Sequence, residues 1–228
     1  MKPVVIILSL FLISCKTNIN DKNNISYDKS DFVEISSVIP DAVYDIRYYS
    51  SYNFTGKRVD GYKANRAYLT KKAVLALKKA SDTLRKQGYR IVVYDAYRPQ
   101  KAVDMFVKWM DDVNDEGIKS FYPNIKDKQE LNKKDLVHRR SGHTRGSVID
   151  MSIVDMNGNS VDMGGTFDLF DERSSRSYNK ITHQQQKNRK ILEKAMVDAG
   201  FIPLYSEWWH FMLNNEPYTN TYFDFDVE

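Results

Sequence analysis

Behind Thr70 the apolar positions Val74, Leu77, Ala80 (or Ser81) and Leu84 recur at helical spacing. Thr70 is a good N-cap and Gly88 supplies the stop, so the pattern predicts a helix between them. The period then shortens. Arg90–Ala96 is dense in β-branched and aromatic residues and predicts a strand, which Arg98-Pro99 breaks. From Gln100 to Asn114 the helical period returns, with Val103, Phe106, Val107, Met110 and Val113 on the inner face. Val148–Val154 predicts a second strand, His183–Ala199 a third helix closed by Gly200, and Trp208–Leu213 a third strand. Helices and few strands interleave, which predicts an α+β domain: a small, mainly antiparallel sheet with helices packed on one side. Residues 115–141 keep no period and carry Gly117, Pro123 and many charges, a length of connection that in a compact domain usually has a task or moves.

The N-terminal pattern has another meaning. Lys2 precedes an apolar run from Val4 to Ile13, too short for a permanent bilayer span and typical of a secretory signal. Leu12-Ile13-Ser14-Cys15 resembles the bacterial lipobox, whose cysteine becomes the lipid-modified first residue of the mature chain. Residues 1–14 are therefore expected to be a signal peptide. Residues 15–30, rich in Asn, Lys, Asp and Ser, are expected to form a lipidated Cys15 and a flexible tether, and residues 31–228 the folded domain. The expected location is the cell envelope, with the membrane held through Cys15.

Composition narrows the chemistry. The chain has 228 residues, 42% hydrophobic and 28% charged, enough to bury one core. The net charge of +4 is spread thinly, which argues against nucleic acid as a partner, and no protein partner is expected. Cys15 is the only cysteine, which excludes a disulfide scaffold and any zinc site built on paired thiolates.

Along Val148–Val154 the residues Ile149, Met151 and Ile153 share one face, while Val148, Asp150 and Ser152 share the other. The first face suits a core, which leaves Asp150 pointing into a cleft. Seven residues upstream, His143 lies in the glycine-flanked turn Ser141–Gly146, and Glu207-Trp208-Trp209-His210 follows near the C-terminus. Two histidines and a carboxylate form a set that zinc accepts while keeping a position open for water. Glu207 is placed to take that water's proton, provided it lies on a bend before the strand that carries His210. Each residue also has a plain structural role: His143 capping a turn, Asp150 paired with Arg145, His210 held between aromatics. His138 and His183 lack such contexts and are expected at the surface.

Ser141-x-His143-x-x-Gly146-x-x-x-Asp150 and Glu207-x-Trp209-His210 resemble the zinc D-alanyl-D-alanine peptidases, in particular the VanX-type D-Ala-D-Ala dipeptidases. The likeness extends through Asn53–Lys57, Val59–Tyr62, Asp95-Ala96-Tyr97-Arg98-Pro99, Phe167-Asp168, Asp171–Ser174 and Tyr222–Phe225, in family order over residues 32–228. It implies one zinc held by His143, Asp150 and His210, Glu207 as general base and acid, and a small D,D-dipeptide as substrate. Arg98 is similar to the family arginine that faces the scissile carbonyl; its plain reading is a structural partner of Asp95. Asp168 is similar to the anchor for the dipeptide's free ammonium, and is otherwise a turn cap beside Phe167. Ser141, Tyr48 and Tyr62 follow as substrate-pocket residues, the two tyrosines being equally suited to a core with a wet hydroxyl. The alternative activity is a D,D- or L,D-carboxypeptidase acting on peptidoglycan stem peptides. A wall-binding lipoprotein without catalysis is a third reading, against which the intact Glu207 and Arg98 stand. The family's resistance enzymes act in the cytoplasm, so an exported relative points instead to envelope peptide turnover or D-Ala salvage.

Overall fold

A computed structural model describes residues 25–126, 128, 130 and 139–228. Cys15, the signal segment, most of the tether and His138 lie outside the described residues. Among the described residues nine strands and three α-helices build the domain: β1 (Ile25–Ser26), β2 (Phe32–Glu34), β3 (Val43–Tyr44), β4 (Tyr68–Thr70), α1 (Lys71–Arg85), β5 (Tyr89–Asp95), α2 (Gln100–Asp111), β6 (Val148–Asp155), α3 (His183–Asp198), β7 (Phe201–Pro203), β8 (His210–Leu213) and β9 (Tyr222–Phe223). The main sheet has the order β3-β5-β6-β8-β7, antiparallel throughout except for the parallel β3–β5 pair. The fold class is α+β, as the interleaved pattern predicts.

Local chemistry explains the elements. The Thr70 side chain accepts from the Ala73 amide and starts α1, whose buried stripe Val74, Leu77, Ala80 and Leu84 packs on β5 and on α3. Thr182 and Gln185 form a reciprocal capping box at the head of α3. Phe106 and Val103 turn α2 toward Tyr48 and Phe54, away from the helix pair, so α2 walls the site. β6 is buried on both faces, Asp150 included. It runs the length of the sheet and is its scaffold.

Three details depart from the sequence pattern. β1 pairs in parallel with β9, so Ile25 and Ser26, inside the segment expected to be tether, are part of paired structure. Two residues in a polar stretch carry no period that sequence spacing could register. The last predicted strand begins at His210, because buried Trp208 and Trp209 occupy a turn. Within 115–141 the described part is anchored by buried Phe121, Tyr122, Ile125 and Lys128. The Lys128 ammonium donates to the Trp109 carbonyl in the last turn of α2, where the helix dipole favours a cation, and to the Asp115 carbonyl in the loop beyond. Among the described residues no helix is long and apolar enough to cross a membrane.

Candidate active site and metal centre

The site is assembled by a row of cross-strand neighbours. Asp95 on β5 pairs with Asp150 on β6, and Asp150 pairs with His210 on β8, which places all three side chains on one face of the sheet. His143 reaches the row from the short 3-10 turn Gly142–Arg145. Ser141 caps that turn by accepting from the His143 amide at 3.3 Å. Gly146 ends the turn with φ +79°, and a Cβ there would meet the Phe32 ring, so the turn admits only glycine.

The donor atoms of His143, Asp150 and His210 all lie within 4.8 Å of one another. His143 Nδ1 sits 2.7 Å from the Ala96 carbonyl, which can only accept, so the proton of the neutral ring is on Nδ1 and a lone pair on Nε2 faces inward. That lone pair lies 3.1 Å from Asp150 Oδ2 and 3.4 Å from His210 Nδ1. Asp150 Oδ1 is buried without a hydrogen bond, 3.0 Å from His210 Nδ1. Converging electron-pair donors with an orphaned carboxylate oxygen fit a divalent cation, and the nitrogen and oxygen types fit zinc. Burial alone would raise the Asp150 carboxyl; the two imidazoles outweigh it and hold it well below the usual carboxylate range. Burial would lower His210, but the Asp150 charge wins and raises it.

Beside this centre opens a cavity of about 300 Å³. Glu207 enters it from the turn before β8, with Oε2 3.4 Å from His210 Nδ1, so it lies on a bend ahead of the strand that carries His210. Removal from water inside the cavity pushes its carboxyl above the usual glutamate range. Arg98 lines the opposite wall: Nε donates to Asp95 Oδ2 at 2.9 Å, and Nη2 lies 3.7 Å from Asp150 Oδ2. Arg98 is thus the partner of Asp95 that its plain reading expects, and it also lines the cavity. Asp168 also faces the cavity, accepting from the Tyr48 hydroxyl at 2.7 Å; burial drives its carboxyl well above the ordinary value. Ser141 and Tyr48 line the cavity.

Tyr62 does not. It is buried behind the wall, outside the cavity lining, and its hydroxyl donates to Asp95 Oδ1 at 2.6 Å. The expectation that it contacts substrate is corrected by this geometry: a core aromatic has its polar end spent on a carboxylate. Arg145, the plain partner offered for Asp150, pairs instead with Glu216 at 2.7 Å. His183 is exposed at the head of α3.

Sequence reasoning missed several residues of the site's frame. Phe170, Leu204, Ser206 and Arg140 line the cavity from positions just outside the motif blocks. Arg189 is buried on α3 and donates to the carbonyls of Met163, Ser175 and Arg173, fixing the segment that presents Asp168. The signal was present in the pattern, since an arginine falls on the same helical stripe as Leu192 and Met196.

Comparison with known proteins agrees with this arrangement. The chain is 39% identical over 199 residues to a D-alanyl-D-alanine dipeptidase of Enterococcus faecium, covering 86% of this chain and 98% of the relative. A D-alanyl-D-alanine dipeptidase of Enterococcus faecalis is 40% identical over 198 residues, again with 86% and 98% covered. One of Streptomyces coelicolor is 37% identical over 199 residues with the same coverage. The family model described as D-ala-D-ala dipeptidase, of the M15 peptidases, matches residues 28–228, which include every cavity-lining and metal-facing side chain named above. With the sequence blocks, the site geometry and these matches in agreement over the whole described domain, the chain belongs to the D-Ala-D-Ala dipeptidase family of M15 zinc metallopeptidases.

Proposed function

We propose that the protein hydrolyses D-alanyl-D-alanine to two D-alanines, as an enzyme lipid-anchored at Cys15 in the cell envelope. The observation that carries the chemistry is the cavity itself: a free carboxylate, a fixed guanidinium and a second carboxylate surround one three-donor metal centre. Zinc bound by His143, Asp150 and His210 supplies Lewis acidity and lowers the pKa of a water to about 7. Glu207, with its raised affinity for protons, takes the proton of the attacking water and returns it to the leaving amine. The Arg98 guanidinium, held on its far side by Asp95, donates to the oxygen on which negative charge grows. Asp168 pairs with the free ammonium of the substrate, so a blocked N-terminus leaves a carboxylate facing no cation.

Two further observations support a dipeptide over a longer peptide. The cavity is at the small end of ligand pockets, which run from about 300 to 1,000 Å³. Asp168 shares that one cavity with the metal-facing side chains, which suits a substrate whose ammonium is one residue from the scissile bond. The lipobox-like Leu12-Ile13-Ser14-Cys15 supports the anchored location, and an anchored enzyme suits envelope peptide turnover or D-Ala salvage.

The test is turnover by purified zinc-loaded protein on D-Ala-D-Ala, its L,L and N-acetylated forms, and a muropeptide pentapeptide. Rapid release of D-alanine from the D,D-dipeptide alone is expected. Preference for the pentapeptide would establish a carboxypeptidase instead. Labelling cells with a fatty-acid analogue tests the anchor: wild-type protein takes the label and Cys15→Ala does not.

A further inference from the structure

Asp95 is fully buried, touches no solvent and does not line the cavity, yet it lies against two site residues and is held by a third residue, Tyr62. Its Oδ2 accepts from Arg98 Nε at 2.9 Å and lies 3.5 Å from His143 Nδ1, while Oδ1 accepts from Tyr62 at 2.6 Å. The backbone is bent to achieve this. Val93 pairs with Met151, but Asp95 pairs with Asp150, so two steps on β5 match one step on β6 and Tyr94 is an extra residue. In a regular strand Asp95 would share the face of Val93 and Met151. The bulge at Tyr94 turns it onto the face of Asp150 and His210. Strand irregularities of this kind re-aim side chains, and here the side chain re-aimed is a carboxylate.

Of the two site residues beside it, Asp95 holds one and merely neighbours the other. His143 Nδ1 is closer to the Ala96 carbonyl, at 2.7 Å, so the ring has its own orienting acceptor. Arg98 Nε has Asp95 alone as its close acceptor, and beyond it the guanidinium rests on the Tyr48 and Phe106 rings at 5.0 and 5.3 Å. We propose that Asp95, re-aimed by the Tyr94 bulge and fixed by Tyr62, is a positioning residue that sets the Arg98 guanidinium for the transition state. This rests on the dipeptidase function proposed above.

Asp95→Asn conserves volume and removes the charge. In zinc-loaded protein we expect kcat/KM for D-Ala-D-Ala to fall about 10–100-fold, the range seen when an outer partner of a site residue is lost. The fall is in kcat, with KM little changed, and the affinity for a phosphinate analogue of the dipeptide, measured by calorimetry, drops by the same factor. In an Arg98→Ala background the added effect of Asp95→Asn should shrink to about twofold or less, because coupled residues are not additive. Tyr62→Phe, which frees one oxygen of Asp95, should move both readouts the same way by a smaller factor and serves if Asp95→Asn does not fold. A full-size effect in the Arg98→Ala background overturns the proposal, as does a loss that tracks zinc content, which would place the action at His143. Unchanged kcat/KM in both variants overturns it too. If wild-type protein leaves D-Ala-D-Ala intact, the proposed substrate fails, while the coupling is still read from phosphinate binding.

Discussion

The Tyr48 hydroxyl donates to Asp168 Oδ2 across 2.7 Å, joining segments 120 residues apart in the chain at the cavity wall. That bond steadies a carboxyl which burial has pushed well above its ordinary range, and in the proposed function a substrate ammonium beside it would restore the charge. Asp168→Asn keeps the shape and loses the anion. It should raise KM for D-Ala-D-Ala roughly 10–100-fold, the worth of a charged hydrogen bond, and should abolish discrimination against the N-acetylated dipeptide. Steady-state kinetics on both substrates check this; preserved discrimination would remove Asp168 from ammonium binding.

Glu207 is next to the metal centre without being one of its three converging donors. Glu207→Gln should therefore bind zinc in the same amount while kcat falls by about 10²–10⁴. Metal analysis and turnover on the same sample separate the two properties, and a variant that turns over normally would leave the general base to be found elsewhere.

The donor set predicts a metal dependence with a direction. A strong chelator should abolish turnover and zinc should restore it, whereas Asp150→Ala, which removes the donor that two imidazoles face, should fail to recover. Zinc content after dialysis is the measurement. Full activity in metal-free protein would end the metallopeptidase reading.

Buried tyrosines give a pH effect whose sign is fixed. Burial pushes Tyr44 up to about 12, and it raises Tyr97, whose hydroxyl exchanges hydrogen bonds with the Phe225 backbone at 2.9 Å. An unfolded tyrosine ionises near 10, so the unfolded state loses its protons first. Their contribution is complete below pH 10 and is lost as the pH climbs toward about 12, at roughly 1.4 kcal/mol per pH unit for each tyrosine. Urea midpoints should stay level to pH 10 in this respect and fall above it, with tyrosinate absorbance appearing together with unfolding. Absorbance that rises in the folded protein near pH 10 to the full tyrosine complement would contradict it.

Much of this was legible because it is local. Thr70 before a 3.6 period, Gly88 behind it, and alternation along β6 each declare themselves within a few residues. The bend that carries Glu207 followed from a parity argument: three residues along a flat strand face opposite ways, so Glu207 and His210 cannot share one. What stayed hidden depends on partners far along the chain. The bulge at Tyr94 leaves no mark on the alternation of β5, since it is defined only by pairing with β6. Tyr62 was misplaced for the same reason, its partner Asp95 being 33 residues away. The two-residue β1 exists only because β9 lies beside it, and Arg189 is tolerated in a core stripe only because three carbonyls from another segment meet it.

Asp168 has a backbone φ of +56°, one of two non-glycine residues among those described with a positive value. Left-handed backbone costs most side chains about 1–2 kcal/mol and is visited routinely only by glycine, asparagine and aspartate. Of those three, one carries a negative charge. Conformation and charge thus converge on a single amino acid, and glutamate, though equally acidic, would meet that backbone cost of about 1–2 kcal/mol before its extra methylene is ever considered.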